Sequence, residues 1–307
     1  MQCPFLRKMT VKYCGLYGRT MIPLNGENLT TEQCFSPDHR NCPLLKEHPE
    51  EQSTGSLCPR LCIMDVHYCD VAPVRKLIPC NRATVSHCTN DGHRYCELYL
   101  SVADPHPETT GTDDEPIPMP PSRAYAGNHM WLDRSDNNTC HVGVDAFFTR
   151  ALGRLDAVSY PYHRDDCRPV VRFTVNGAVF DLAFPNALNC TEINTHLVVD
   201  PSEVLRDPYG RGWLFQGVTP PMAADGTNDS LERGLLRGDE ACRWMDNECN
   251  RLSAFAHDHL PAQSADTGPL MQDGGRFCGH LADVLDSGTL YRLHTAFFSL
   301  QSRRHQP

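Results

Sequence analysis

Eight cysteines in the first 100 residues use one spacing twice. Cys3, Cys14, Cys34 and Cys42 follow C-x10-C-x19-C-x7-C, and Cys58, Cys69, Cys88 and Cys96 follow C-x10-C-x18-C-x7-C. The surrounding text repeats as well. CPFLRKMTVKYC matches CPRLCIMDVHYC, Arg19-Thr20-Met21-Ile22-Pro23 matches Arg75-Lys76-Leu77-Ile78-Pro79, and His39-Arg40 matches His93-Arg94 before the fourth cysteine. Such self-similarity marks two copies of one structural unit. Four thiolates complete a tetrahedral zinc site or hold an iron–sulfur cluster. Each copy spans about 40 residues, too few to build a stable core without a staple. Read by repeat, Cys3, Cys14, Cys34 and Cys42 hold one metal centre, and Cys58, Cys69, Cys88 and Cys96 hold the other. Each copy is expected to fold around its own centre, with exchange of ligands across a pseudo-twofold as the alternative.

The metal is iron–sulfur or zinc. Structural zinc favours C-x2-4-C knuckles, and no repeated pair here has that spacing; Cys58 and Cys62 do, but the first copy lacks a counterpart of Cys62. Cys-Pro at Cys3, Cys42 and Cys58 also occurs in ferredoxin motifs. Buried unliganded thiols are common, but they do not account for eight at duplicated spacing. With four thiols per site, His39 and His93 read as residues that support the ligands or lie on the surface. Cys62 and Cys80 fall outside the repeat.

The elements that would position these residues come from composition. The chain has 307 residues, 40% hydrophobic and 21% charged, a globular balance with room for two or three domains. A net charge of −10 disfavours nucleic-acid backbones, which need a basic surface. No segment reaches the roughly 18 apolar residues of a membrane span. The N-terminus lacks a signal-peptide core, so the chain reads as cytoplasmic. Disulfides are rare there, which turns ten cysteines within the first 100 residues toward metal ligation.

Four regions follow: a duplicated Cys-rich module over 1–100, a Pro- and acid-rich linker over 101–126, a β-rich domain over 127–219 and a helical extension over 220–307. The expected class is an α+β multidomain protein. Two helices are expected in the extension. The first carries Leu231, Leu235, Trp244, Met245, Leu252 and Phe255, with a break and fresh N-cap at Gly238-Asp239. The second runs from about Phe277 to Leu300, with Leu281, Leu285, Leu290, Leu293 and Phe297 as its apolar stripe and Gly288 as a possible interruption. PAQSADTGPLMQDGG joins them as a loop. His257-Asp258-His259 reads as a polar helix end. No phosphate loop, HExxH or GxSxG is present.

His129-Met130-Trp131, Val142-Gly143-Val144-Asp145, Leu152-Gly153, Tyr160-Pro161, Glu192-Ile193-Asn194 and Asp207-Pro208-Tyr209-Gly210-Arg211-Gly212-Trp213-Leu214 stand in a familiar order. Over Asn128 to Phe215 the chain resembles the H-protein of the glycine cleavage system, a β-rich lipoyl-domain fold. That resemblance implies a lipoate on a lysine at a hairpin tip, eight residues before a proline. Counting back from Pro185 gives Gly177, the degenerate lipoyl position. Asn176-Gly177 between apolar runs predicts a two-residue type I′ turn. All four lysines are Lys8, Lys12, Lys46 and Lys76, so the hairpin has no amine to carry lipoate.

The expected function is a non-catalytic, metal-containing adaptor or electron-transfer protein on a non-lipoylated H-protein-like domain that docks a protein partner. A zinc-stabilised structural subunit is the alternative. A thiol-redox enzyme using Cys62, Cys80 or Cys190 would need an exposed thiol of low pKa; Cys140 and Cys167 read as core or surface thiols. The sequence sets no oligomeric state.

Overall fold

The computed structural model describes residues 1–16, 33–47, 55–74, 76–78, 86–103, 116–135, 139–161, 168–218, 230–260 and 281–300. The chain divides into two compact units, Met1–Thr89 and Asn90–Pro307. Cys80, Cys167, the Arg19–Pro23 motif, the Thr219-Pro220-Pro221 boundary, the 261–275 loop and residues 104–115 of the expected linker lie outside the described residues.

In the first unit, β1 (Leu6–Cys14) pairs antiparallel with β2 (Leu61–Cys69), and β2 pairs with β3 (Lys76–Ile78). The pairing runs from Leu6 opposite Cys69 to Cys14 opposite Leu61. Thr10 at the centre faces Asp65, its own equivalent in the other repeat. The duplication is therefore built as a local twofold. Thr10 Oγ1 donates to Asp65 at 2.8 Å, and Lys8 Nζ lies 2.7 Å from the same carboxylate. The buried aliphatics described in this unit are Leu6, Val11, Leu45 and Val66, a core small enough to need another source of stability.

The second unit holds two antiparallel sheets. One has the order β10 (Asn189–Ile193), β11 (Phe215–Val218), β6 (Thr139–Val144), β5 (Met130–Arg134), β4 (Ala124–Tyr125). The other is β7 (Ala157–Ser159), β8 (Val170–Val175), β9 (Ala178–Ala183). Buried positions alternate along β8 and β9, as expected of strands with one face in a core. Val142, Val144, Phe173, Val175 and Leu182 share that core, so the sheets form a sandwich. The mixed helices and antiparallel sheets fit the α+β expectation.

Local chemistry explains the matched motifs. Trp131 Nε1 donates to the carbonyls of Val144 (2.8 Å) and Pro208 (3.1 Å). Its ring lies where a Cβ on Gly143 would come within 2.5 Å, so the glycine and the tryptophan require each other. Asp145 then caps the helix Ala146–Leu152 by accepting from Phe148 N–H at 3.1 Å, and Gly153 closes it with φ 69°. In the DPYGRGW segment, Asp207 accepts from the N–H groups of Gly210 and Arg211, each at 2.8 Å. A Cβ at Gly210 would sit 2.2 Å from that carboxylate.

The C-terminal elements differ from the periodicity. One long helix spans Gly238–His259 with Arg237 as its N-cap. Leu231 and Leu235 are not in it; the chain there forms turns and a bridge from Leu236 to Tyr125. The break expected at Gly238 is real, with φ 52°, and His259 ends the helix. Instead of one continuous second helix, the described part holds a short turn Leu281–Asp283, a helix Ser287–Leu293 and one wide turn His294–Phe298. Asp286 interrupts the stripe by capping the helix through Thr289 N–H at 2.9 Å; Gly288 lies within the helix. Residues 277–280 lie outside the described residues.

Replacing Gly143 by Ala should overpack this core. A loss of about 1–3 kcal/mol is expected, read as a lower denaturation midpoint with a changed Trp131 fluorescence. An unchanged midpoint would show that the indole is free to move.

Candidate functional site

The predicted hairpin is present. Val175 pairs with Ala178, and both residues between them have positive φ, Asn176 at 45° and Gly177 at 77°. That combination is the type I′ turn, whose twist matches its strands. Gly177 marks the open side of the tip, since a Cβ there would meet nothing within 4 Å. The tip offers an amide and no side-chain amine, so its residues do not fit a lipoyl group.

The other side of the tip is bound by the chain itself. Asn176 Nδ2 donates to the carbonyls of Ala282 (3.2 Å) and Leu285 (3.4 Å), and Asn176 N–H donates to Asp156 at 2.6 Å. Further along β9, Val179 N–H donates to Tyr291 Oη at 3.2 Å, and His294 Nε2 donates to the Asp181 carbonyl at 3.2 Å. Burial holds the His294 pKa below its ordinary value, outweighing the Asp181 contacts. The C-terminal segment thus lies along the hairpin.

A buried ion network joins the long helix to the sandwich. His129, with φ 63°, is fully buried and donates from Nδ1 to Asp145 at 2.9 Å. Its Nε2 lies 3.6 Å from Glu248 on the helix Gly238–His259. Arg251 donates to both Glu248 oxygens, at 2.6 and 2.7 Å, and to the Ala296 carbonyl at 3.0 Å. Burial opposes charge on His129, but Asp145 and Glu248 prevail and raise its pKa. Burial likewise opposes charge on Glu248, and His129 and Arg251 prevail and lower its pKa. Sequence reasoning found His129 and Asp145 as motif residues but missed Glu248, Arg251, Tyr291 and His294. Asn176 belongs to the predicted turn, and its contacts with the C-terminal segment are added by the structure.

The thiols divide by place. Cys14 ends β1 and Cys69 ends β2, while Cys3 and Cys58 each lie three residues before the strand begins. Nine residues of strand extend about 26 Å, so Cys3 cannot share a centre with Cys14, nor Cys58 with Cys69. The grouping by repeat does not survive this geometry. Cys34 instead has the thiols of Cys58, Cys14 and Cys42 around it; burial first, then those thiols, pushes its pKa up to about 11. Cys58 N–H donates to the Cys34 carbonyl at 2.9 Å, and Cys3 N–H donates to the Cys88 carbonyl at 2.9 Å. Among the described residues, no group of three or more His, Cys, Asp or Glu side chains is set to hold a metal ion. Cys96 belongs to the second unit.

The turns before the fourth cysteines repeat closely. Ser36 and Asn90 cap them, His39 Nδ1 donates to the Ser36 carbonyl (2.7 Å), and His93 Nδ1 donates to the Asn90 carbonyl (2.6 Å). Both imidazoles are buried rather than on the surface. Of the remaining thiols, Cys140 is buried, and burial pushes its pKa up to about 12. Cys190 is exposed, yet its pKa is also raised, chiefly by partial burial. Neither has the lowered pKa of a reactive thiol. Cys62 lies on β2 opposite Tyr13.

Two measurements probe the second unit. His129 contributes stability that is fully present below its ordinary value of 6.5 and is lost as pH rises through its raised folded value. Glu248 contributes above its ordinary value of 4.5 and loses this as pH falls through its lowered folded value. Urea titrations should show the fullest support between these two pH values, and Glu248→Gln should flatten the profile and lower stability by about 1–3 kcal/mol. Asn176→Ala should speed amide exchange over Leu281–Leu293 and cost about 1–2 kcal/mol, from lost hydrogen bonds and loss of asparagine's tolerance of positive φ. Unchanged exchange would separate the C-terminal segment from the tip.

No family model matches the chain. The glycine cleavage system H protein of Mycobacterium avium (strain 104) is 34% identical over 109 residues, covering 34% of this chain and 83% of that protein. That of Herpetosiphon aurantiacus is 32% identical over 138 residues, covering 43% and 98%. That of Thermosynechococcus vestitus is 33% identical over 125 residues, covering 40% and 98%. A crystal structure of a glycine cleavage system H protein from Mycobacterium marinum aligns at 24% identity with a TM-score of 0.30, over 42% of this chain and 98% of that one. The sequence matches carry the assignment: the chain belongs to the glycine cleavage system H protein family.

Proposed function

We propose that this protein is a non-lipoylated, non-catalytic adaptor: an H-protein-like domain that docks a protein partner, joined to a Cys-rich module with two thiolate metal centres. The carrying observation is the hairpin tip. Its type I′ turn keeps the family's strand pair, while Asn176-Gly177 supplies no amine and the C-terminal segment bonds to Asn176. A swinging arm at this place would need a free lysine. Support for a partner comes from relatives named as components of a cleavage system. Among the described residues no helix is long and apolar enough to cross a membrane.

The repeated thiols support the metal module. If the centres are iron–sulfur, the module passes electrons to the partner; if they are zinc, it is a structural staple. The small aliphatic core of the first unit favours a staple of either kind.

The test is the intact chain, co-expressed with a lipoate-attaching enzyme and analysed by mass and metal content. No lipoyl mass increase and about two metal centres per chain are expected. Broad absorbance at about 400 nm assigns iron–sulfur; a colourless zinc protein rejects electron transfer. A lipoyl adduct beyond residue 76 overturns the adaptor reading.

A further inference from the structure

We propose that the two repeats exchange their first cysteines, so that one metal centre takes Cys14, Cys34 and Cys42 from the first repeat and Cys58 from the second. Cys3 is exchanged the other way, to the centre that takes Cys69 and Cys88. The inference rests on the metal-bearing reading above and specifies which thiols share an ion.

Three observations carry it. The first is length. Each nine-residue strand is about 26 Å long and separates the first cysteine of its copy, just before it, from the second, at its far end, whereas ligands of one zinc each lie about 2.3 Å from it. The second is direction. Antiparallel pairing places the Cys14 end of β1 against Leu61, close in sequence to Cys58, and the Cys69 end of β2 against Leu6, close to Cys3. The third is a matched pair of contacts. Cys58 N–H meets the Cys34 carbonyl and Cys3 N–H meets the Cys88 carbonyl, both at 2.9 Å. These are repeat-equivalent bonds, and each crosses from one copy to the other.

Around Cys34 four thiols are neighbours without yet being set to hold an ion. The thiols of Cys14, Cys42 and Cys58 are its neighbours, and Cys34 and Cys58 share a side-chain hydrogen bond. The backbone at Cys42 is fixed by its N–H to the His39 carbonyl at 3.0 Å, and the Lys46 N–H caps the Cys42 carbonyl at 3.1 Å. On binding an ion, side-chain rotation about this backbone would bring the thiols into ligand geometry. Four thiolates without a cation would repel one another. The fitting ligand is a thiophilic ion, zinc(II) or an iron–sulfur cluster.

Two double variants of the full chain separate the arrangements. Each is reconstituted with zinc(II), desalted and assayed for bound zinc. Cys14→Ser with Cys58→Ser removes two ligands of one exchanged centre, so half of the wild-type zinc should remain. Cys3→Ser with Cys14→Ser strikes both centres, so binding should fall to near zero. Grouping by repeat gives the reverse pattern, which would overturn the exchange. A second measurement needs no variant to fold. Dibromobimane, which bridges neighbouring thiols, should link Cys34 to Cys58 in metal-free wild type; a Cys3–Cys14 or Cys3–Cys34 bridge in its place overturns the grouping. Wild type that takes up neither zinc nor iron overturns the metal reading itself, while the bridge pattern still reports which thiols are neighbours.

Discussion

An imidazole with no exposed surface holds a proton more tightly only where carboxylates inside the protein answer it. His129 is held this way, between Asp145 on one side and Glu248 on the other. Removing one partner of such a buried pair is destabilising, because it leaves the other group uncompensated. Asp145 also caps the helix Ala146–Leu152, and Glu248 sits on the long helix and is clasped by Arg251. Arg251 in turn reaches the Ala296 carbonyl and lies 4.8 Å from the Phe297 ring centre. One ionic contact therefore ties the sandwich, the long helix and the C-terminal turn into a single unit.

The sandwich was legible in the sequence because its constraints are local. Asn176-Gly177 needs positive φ at both positions, and those residue types tolerate it. Gly143 with Trp131, and Asp207 with Gly210, are pairs in which one side chain occupies the space a Cβ would take. Such pairs leave their mark on spelling. Glu248 leaves none: a single acid on a helix reads as solvated surface until a distant imidazole is placed beneath it. Leu231 and Leu235 show the opposite error. Their spacing suits a helix, but Leu236 exchanges both backbone bonds with Tyr125, and tertiary pairing overrides the local pattern.

The repeated cysteines were legible as a set and misleading as groups. Spacing along the chain shows that two copies exist. It does not show that the stretch between the first and second cysteine is a straight strand. Once β1 and β2 are extended, the first and second cysteines of one copy lie at opposite ends of a strand, and Cys34 has Cys58 of the other copy beside it as well as Cys14 and Cys42. The absence of lysine after Lys76 needed no structure, but its meaning at the hairpin did. Asn176 fills a turn and also hands its amide protons to the C-terminal segment, which a freely swinging residue there would not do.

The axis between β1 and β2 passes where Thr10 faces Asp65. Two separate copies of one ancestral repeat, paired in this way, would have set the same residue against itself. An aspartate on the axis would then have met a second aspartate, and like charges opposite one another destabilise a sheet. A fused chain escapes that rule, because each half can change alone. Here one half carries the acid and the other supplies a hydroxyl donor and Lys8 to receive it. Asymmetry at the axis is the liberty that a duplicated chain has and a symmetric dimer lacks.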